Sequence, residues 1–186
     1  MLIERKKNDR ILVLGAPGSG KSTLTSKLSM ILKIEAIHLD KYYWKPNWVE
    51  SGSQEWNMIL NKLLLKDSWI MDGNYIKSLS DRIKYANHII YLEIPLYKSL
   101  LRIVSRMIKY RNTSRPDMGI ECKERLNLQF IKFILWTIKF HYYYKQNIIN
   151  ILSDNKYEVL INNDTIDNWI NTNFHTKFTP ATTVSS

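Results

Sequence analysis

Eight consecutive residues carry the densest chemistry in this chain: Gly15-Ala16-Pro17-Gly18-Ser19-Gly20-Lys21-Ser22. They meet the pattern G-x-x-x-x-G-K-S/T at every specified position. Glycines there allow successive backbone N–H groups to face one point, a nest for a phosphate chain at a helix N-terminus. Lys21 adds a point charge for the β- and γ-phosphates, and the Ser22 hydroxyl is a hard ligand suited to Mg²⁺. Gly15, Ala16, Pro17, Gly18, Ser19, Gly20, Lys21, Ser22 and Thr23 form the expected nucleotide-binding set.

Two carboxylates stand where they can complete such a site. Asp72 ends the apolar run Trp69-Ile70-Met71, and an acid at a strand end beside this loop can hold Mg²⁺ directly or through water. The competing reading is an ordinary Asp-Gly turn with Gly73. Asp40 follows Ile37-His38-Leu39. There it either accepts the proton of a substrate hydroxyl or caps a helix. Arg102 and Arg106 are four apart and share a helix face. With Arg111 and Arg115 they make a basic segment that would close over phosphates as a lid, stabilising transferring charge and excluding water. A solvated basic face or a nucleic-acid patch is the alternative. The expected catalytic set is Lys21, Arg102, Arg106 and Asp40, with Ser22 and Asp72 on the metal and Arg111 and Arg115 in the lid. The four histidines have no metal-ligating spacing, and no serine–histidine or cysteine–histidine constellation is present.

The elements that must position these groups are legible as apolar runs. Strands are expected at 10–14, 35–39, 68–72, 87–93 and 157–161, separated by helical patterns. That alternation predicts an α/β fold, a parallel sheet with helices on both faces. Ligands bind beyond the carboxyl ends of such strands, and Asp40, Asp72, Pro95 and Asn162-Asn163 all follow one. After Ser22, Leu24, Leu28, Ile31 and Leu32 mark one face of a helix. A further helix is expected from Leu96 to about Tyr110, and a long helical stretch, as two helices, from about Cys122 to Leu152. The aromatic run Phe130, Phe133, Trp136 and Phe140 in it reads as core.

The chain has 186 residues and a 45% hydrophobic content, enough for one domain over 1–174 with a small lid at about 106–120. Residues 175–186 turn small and polar and read as a loose tail. One cysteine, Cys122, excludes an internal disulfide and a multi-cysteine metal site. The N-terminal residues lack a signal-peptide apolar region, and no stretch approaches the ~20 apolar residues of a membrane span; a cytoplasmic protein without a membrane partner is expected. The net charge of +10 calls for a polyanion, either a nucleoside triphosphate or nucleic acid.

Three further stretches sharpen this reading: His38-Leu39-Asp40-Lys41-Tyr42-Tyr43-Trp44-Lys45-Pro46, Trp69-Ile70-Met71-Asp72-Gly73-Asn74-Tyr75 and Thr113-Ser114-Arg115-Pro116-Asp117-Met118. With the phosphate loop, the Asp72-Gly73 turn and Arg102-Ile103-Val104-Ser105-Arg106, the chain resembles adenylate kinase and its relatives over residues 10–163. It is most similar to the adenylate-kinase-like proteins labelled DNA topology modulation protein. The resemblance implies a P-loop NTPase fold of the nucleoside monophosphate kinase type, with a five-stranded parallel sheet and an arginine-bearing lid. It implies ATP as phosphoryl donor with Mg²⁺, and a small-molecule or nucleotide acceptor. The chain departs from adenylate kinase after Asp72-Gly73, reading Asn74-Tyr75-Ile76 in place of Phe-Pro-Arg, so the arginine that holds acceptor phosphates there is absent. The alternative class is a regulatory, nucleotide-dependent DNA-binding protein, although no recognised DNA module is present.

Overall fold

Ile11-Leu12-Val13-Leu14 contain no polar side chain, as a strand covered on both faces requires. All four are fully buried at the centre of the molecule. The computed structural model describes residues 9–119 and 121–174. In its first half run β1 (Arg10–Gly15), α1 (Lys21–Leu32), β2 (Ala36–His38), α2 (Leu39–Tyr43) and a ribbon of β3 (Trp44–Lys45) and β4 (Val49–Glu50). Then come α3 (Ser53–Leu64), β5 (Trp69–Asp72), α4 (Leu79–Tyr85), β6 (His88–Leu92) and α5 (Leu96–Lys109). The chain continues through α6 (Leu128–Lys139), α7 (Lys145–Leu152), β7 (Glu158–Leu160) and α8 (Asn163–Phe174).

Five strands form one parallel sheet in the order β2-β5-β1-β6-β7. All five expected strands are present, each within two residues of its predicted bounds. Alternation along the strands divides the core in two. Leu12 and Leu14, Trp69 and Met71, and Ile89 and Tyr91 face a layer that includes Leu60, Leu64, Leu79 and Ile148. Ile11 and Val13, Ile70, and Ile90 and Leu92 face Leu24, Leu28, Trp169 and Ile170. The helices thus cover both faces, and β1 delivers its carboxyl end between β5 and β6.

The ribbon of β3 and β4 is not visible in the sequence pattern. Each strand is two residues long, and the turn between them places Asn47 and Trp48 at positive φ. The long helical stretch starts at Leu128, not near Cys122, because the Asn127 side chain accepts the Phe130 N–H at 3.1 Å and caps it there. A π-helical turn, Phe140–Tyr144, joins α6 to α7. The expectation that the aromatic run is core is corrected in part. Phe140 is buried, while Phe130 and Phe133 are half-buried and Trp136 is exposed. The expected 175–186 tail lies outside the described residues.

Candidate active site

β1 ends at Gly15, and the loop that follows is shaped by close approach as much as by torsion. Gly15, Gly18 and Gly20 all have positive φ. A Cβ on Gly18 would lie 2.5 Å from the Ser99 carbonyl oxygen, so α5 packs against the loop where only glycine fits. Lys21 opens α1, and its ammonium donates to the carbonyls of Gly15 at 2.8 Å and Ala16 at 2.9 Å. Burial lowers its pKa to about 8, against the opposing pull of the Asp72 and Asp40 carboxylates. From α5, the Arg102 guanidinium donates to the Ser19 carbonyl at 2.8 Å.

Beside the loop, parallel pairing sets His38 of β2 opposite Asp72 of β5. Their side chains meet in the interior, with His38 Nδ1 2.8 Å from Asp72 Oδ2. Burial disfavours the imidazolium, but the Asp72 carboxylate outweighs it and the His38 pKa is raised. The remaining nitrogen, Nε2, lies 3.5 Å from the Ser26 hydroxyl of α1.

The turn after Asp72 is held by a residue that sequence reasoning passed over. Arg82 of α4 is fully buried. It donates to the carbonyls of Gly73 at 2.6 Å, Asn74 at 2.6 Å, Tyr75 at 3.1 Å and Ser78 at 3.4 Å. Burial lowers its pKa to about 9, yet four carbonyls satisfy the cation. The turn so fixed sends Asn74 Nδ2 to the Gly15 carbonyl at 2.9 Å and the Tyr75 hydroxyl to Asp40 Oδ1 at 2.6 Å. Burial raises the Asp40 pKa; the Tyr75 hydrogen bond opposes that, the Asp72 charge adds to it, and Arg115 and Lys21 pull it down.

The described residues between α5 and α6 supply part of the cleft lining. Arg115 is buried there, 3.1 Å from Asp117 Oδ2 and 2.6 Å from Glu124 Oε1. Asp117 lies beside Ser22, and its pKa is lowered because Arg115, Ser22 and Arg106 outweigh its burial. Burial and the neighbouring Arg115 lower the Arg106 pKa to about 10. The segment is tied to the ribbon by Trp48 Nε1 donating to the Lys123 carbonyl at 3.1 Å and Cys122 Sγ to that of Lys45 at 3.3 Å. Gly119 packs on the Trp44 carbonyl with no space for a Cβ.

Lys21, Ser22, Thr23, Asp40, Asp72, Arg102, Arg106 and Arg115 therefore line one cleft, together with Pro17, Gly18, Ser19 and Gly20. Arg111 does not. It is exposed and makes a backbone bridge to Glu124. The cleft encloses about 2370 Å³, beyond the ~300–1,000 Å³ of a site for one small ligand. Asn74, Tyr75, Arg82, Asp117 and the His38–Asp72 pair were not assigned roles from sequence. The available signal was position: His38, Asn74 and Tyr75 flank strand ends. Nothing in the local pattern around Arg82 marks it.

No protein-family model matches the chain, and neither does any curated protein sequence. Solved structures do match. Shikimate kinase from Acinetobacter baumannii in complex with shikimate aligns with a TM-score of 0.55 at 16% identity, over 92% of this chain and 96% of that one. A gluconokinase from Sinorhizobium meliloti 1021 aligns with a TM-score of 0.52 at 12% identity, over 92% of each chain. The fold is that of a P-loop kinase. At these identities the likeness concerns the fold, and what the cleft does must be argued from its own residues.

Proposed function

We propose that this chain is an ATP-dependent phosphotransferase that moves the γ-phosphoryl group of ATP to a hydroxyl of a small acceptor beside Asp40. The observation that carries the reading is the opening of the Lys21 loop and the half-buried Asp40 carboxylate into the same cleft, close enough to shift each other's titration. Phosphoryl transfer is catalysed mainly by positioning and by neutralising charge on the transferring group. Lys21 and the loop N–H groups take the β- and γ-phosphates, and Arg102 and Arg106 reach the same space from α5. Asp40 keeps one oxygen on the Tyr75 hydroxyl and offers the other to an acceptor O–H. The gluconokinase and shikimate kinase likeness supports a small-molecule acceptor. The absence of an arginine after Asp72-Gly73 weighs against a nucleoside monophosphate.

The residues fit Mg²⁺, since the Ser22 hydroxyl and the Asp72 and Asp117 carboxylates are hard oxygen donors lining the cleft near Lys21. When bound, the ion neutralises charge on the phosphates. His38 would hold Asp72 in one orientation, as an outer hydrogen-bond partner does for a ligating carboxylate.

The test is a screen of hydroxylated acceptors with ATP and Mg²⁺, read as acceptor-dependent ADP release, with nucleoside monophosphates as the contrasting set. A sugar acid, polyol or other small alcohol should stimulate release. Stimulation by monophosphates alone would replace the acceptor assignment. Asp72→Asn should raise the Mg²⁺ concentration needed for half-maximal rate about tenfold or more while changing nucleotide affinity less. An unchanged Mg²⁺ titration would leave Asp72 as a turn residue.

A further inference from the structure

α5 and α6 turn apolar stripes to solvent. On α5 the stripe is Tyr97, Leu101, Val104 and Ile108, and steps of three and four keep it on one side. On α6 it is Leu128, Ile131, Leu135 and Trp136, with Tyr142 and Tyr143 continuing it past the π-helical turn. Leu101, Ile108 and Leu128 are 67%, 72% and 75% exposed. The two helices are in contact, and Lys98, Leu101, Lys132 and Trp136 all border the cleft opening. Leu101 of one stripe and Trp136 of the other both line the cleft, so the two exposed stripes come together beside it, and clustered exposed apolar residues of this kind mark an interaction surface.

The charge around this surface has one sign. From Ile94 to Pro116 there are Lys98, Arg102, Arg106, Lys109, Arg111 and Arg115 and no acid; from Arg125 to Ser153 there is again no acid. Lys98, Lys109, Lys132 and Lys139 are exposed among the apolar residues. The nearby acids are engaged or off the helices. Glu93 pairs with Lys145, Asp117 and Glu124 pair with Arg115, and Glu121 is on the connecting segment.

The occupant must offer both hydrocarbon and anions. A second copy docked through a two-fold axis would bring the Lys132 and Lys139 rows together without an acid to pair them. A nucleic acid offers phosphates but nothing to cover Leu128, Ile131 and Leu135. An anionic bilayer offers both, with headgroup phosphates for the lysines and the acyl boundary for the aliphatic residues. Trp136, Tyr142 and Tyr143 suit the interface between them. Lysine stems lie along apolar surface while their ammonium groups reach the headgroups. We propose that the α5–α6 face docks on the surface of an anionic phospholipid bilayer. No helix among the described residues is long and apolar enough to cross one, so the mode is peripheral.

The experiment is co-sedimentation of the full chain with phosphatidylcholine vesicles, with and without phosphatidylglycerol. Binding should require phosphatidylglycerol and weaken with salt. Ile108→Ser/Leu128→Ser/Leu135→Ser should weaken it about tenfold or more, and Lys132→Glu/Lys139→Glu by a similar factor. In the unmodified chain, vesicles with brominated acyl chains should quench tryptophan emission, and Trp136→Phe should remove that component. This arm stands even where the triple variant fails to fold. Equal binding to both vesicle types overturns the proposal, as does absence of quenching. Binding unaltered by the serine substitutions, and shared by duplex DNA, would make the face a simple polyanion patch. A dimer dissolved by those substitutions, without vesicle binding, would make the occupant a second copy.

Discussion

In the proposed reading, the phosphate side of the cleft works through backbone N–H groups, aimed by glycine torsions and by the seating of Gly18 under the Ser99 carbonyl. On the acceptor side the working groups are side chains aimed by other side chains. Asp40 is oriented by Tyr75, Tyr75 by the turn after Asp72, and that turn by Arg82. The first wall is nearly complete within nine consecutive residues. The second spans more than forty residues of sequence and has a single buried cation at its base. A backbone-built cradle tolerates loss of most individual side chains but not a change of shape, whereas a relay of side chains can be loosened at any step. Asn74 joins the two, since it leaves the Arg82-held turn and donates to the Gly15 carbonyl at the start of the loop.

The largest effect should come from the one side chain the phosphate wall cannot do without. Lys21→Ala is expected to lower kcat/KM by about 10³-fold, the scale seen when a cation facing transferring phosphate is removed. Its thermal midpoint should stay within a few degrees of the parent, because the lysine contributes two carbonyl hydrogen bonds and no core packing. Unaltered turnover in the folded variant would show that the loop does not face the reacting phosphate.

This contrast also explains how far the sequence could be read. Loop, flanking strand and helix follow one another, so the glycine spacing and the run Ile11–Leu14 reveal the phosphate wall at once. The three central strands are legible because burial on both faces leaves their middles apolar, at Ile11–Leu14, Trp69–Met71 and Ile89–Ile90. What escaped depends on distance. Arg82 acts on carbonyls four to nine residues earlier, carbonyls have no sequence signature, and its helix is only seven residues long. His38 meets Asp72 through the register of two strands 34 residues apart, which no local pattern encodes. The ribbon after α2 rests on a turn with Trp48 at positive φ, a conformation its residue type does not announce. Trp136 is exposed although the aromatic run reads as core, because aromatic residues at helical spacing show the same pattern whether core or solvent lies beyond them.

A middle-sized effect is expected at the base of the acceptor wall. Arg82→Lys keeps the charge but cannot span the carbonyls of Gly73, Asn74 and Tyr75 together. Leaving buried carbonyls unpaired should cost about 2–3 kcal/mol, a fall of roughly 5–10 °C in the unfolding midpoint for a chain of this size. Acceptor KM should rise more than ATP KM, since the turn orients Tyr75 directly and the phosphate loop only through Asn74. Equal losses for both substrates would mean that the walls are mechanically one unit, and an unchanged midpoint would remove Arg82 from its structural role.

The smallest effect tests a single hydrogen bond in the relay. Burial holds the Asp40 carboxyl above the usual aspartate range, and the Tyr75 hydroxyl is the strongest influence pulling it back. In the proposed mechanism Asp40 takes the acceptor proton only when ionised, so kcat/KM should rise with pH through this raised pKa and fall below it. Tyr75→Phe removes the donor to the carboxylate but keeps the ring packed against Tyr43 and Trp56. The Asp40 pKa must then move further up, and the acid limb of the rate profile should shift to higher pH with little change in the plateau. The sign for stability follows from the same shift. The protonated carboxyl is favoured in the fold, so its contribution is present below the unfolded pKa and is lost as pH rises through the folded one. In the phenylalanine variant that loss should extend to higher pH. Asp40→Asn supplies the control, since it should abolish the limb together with most of the rate. A limb that survives in Asp40→Asn, or stays in place in Tyr75→Phe, belongs to another group and separates Asp40 from proton transfer.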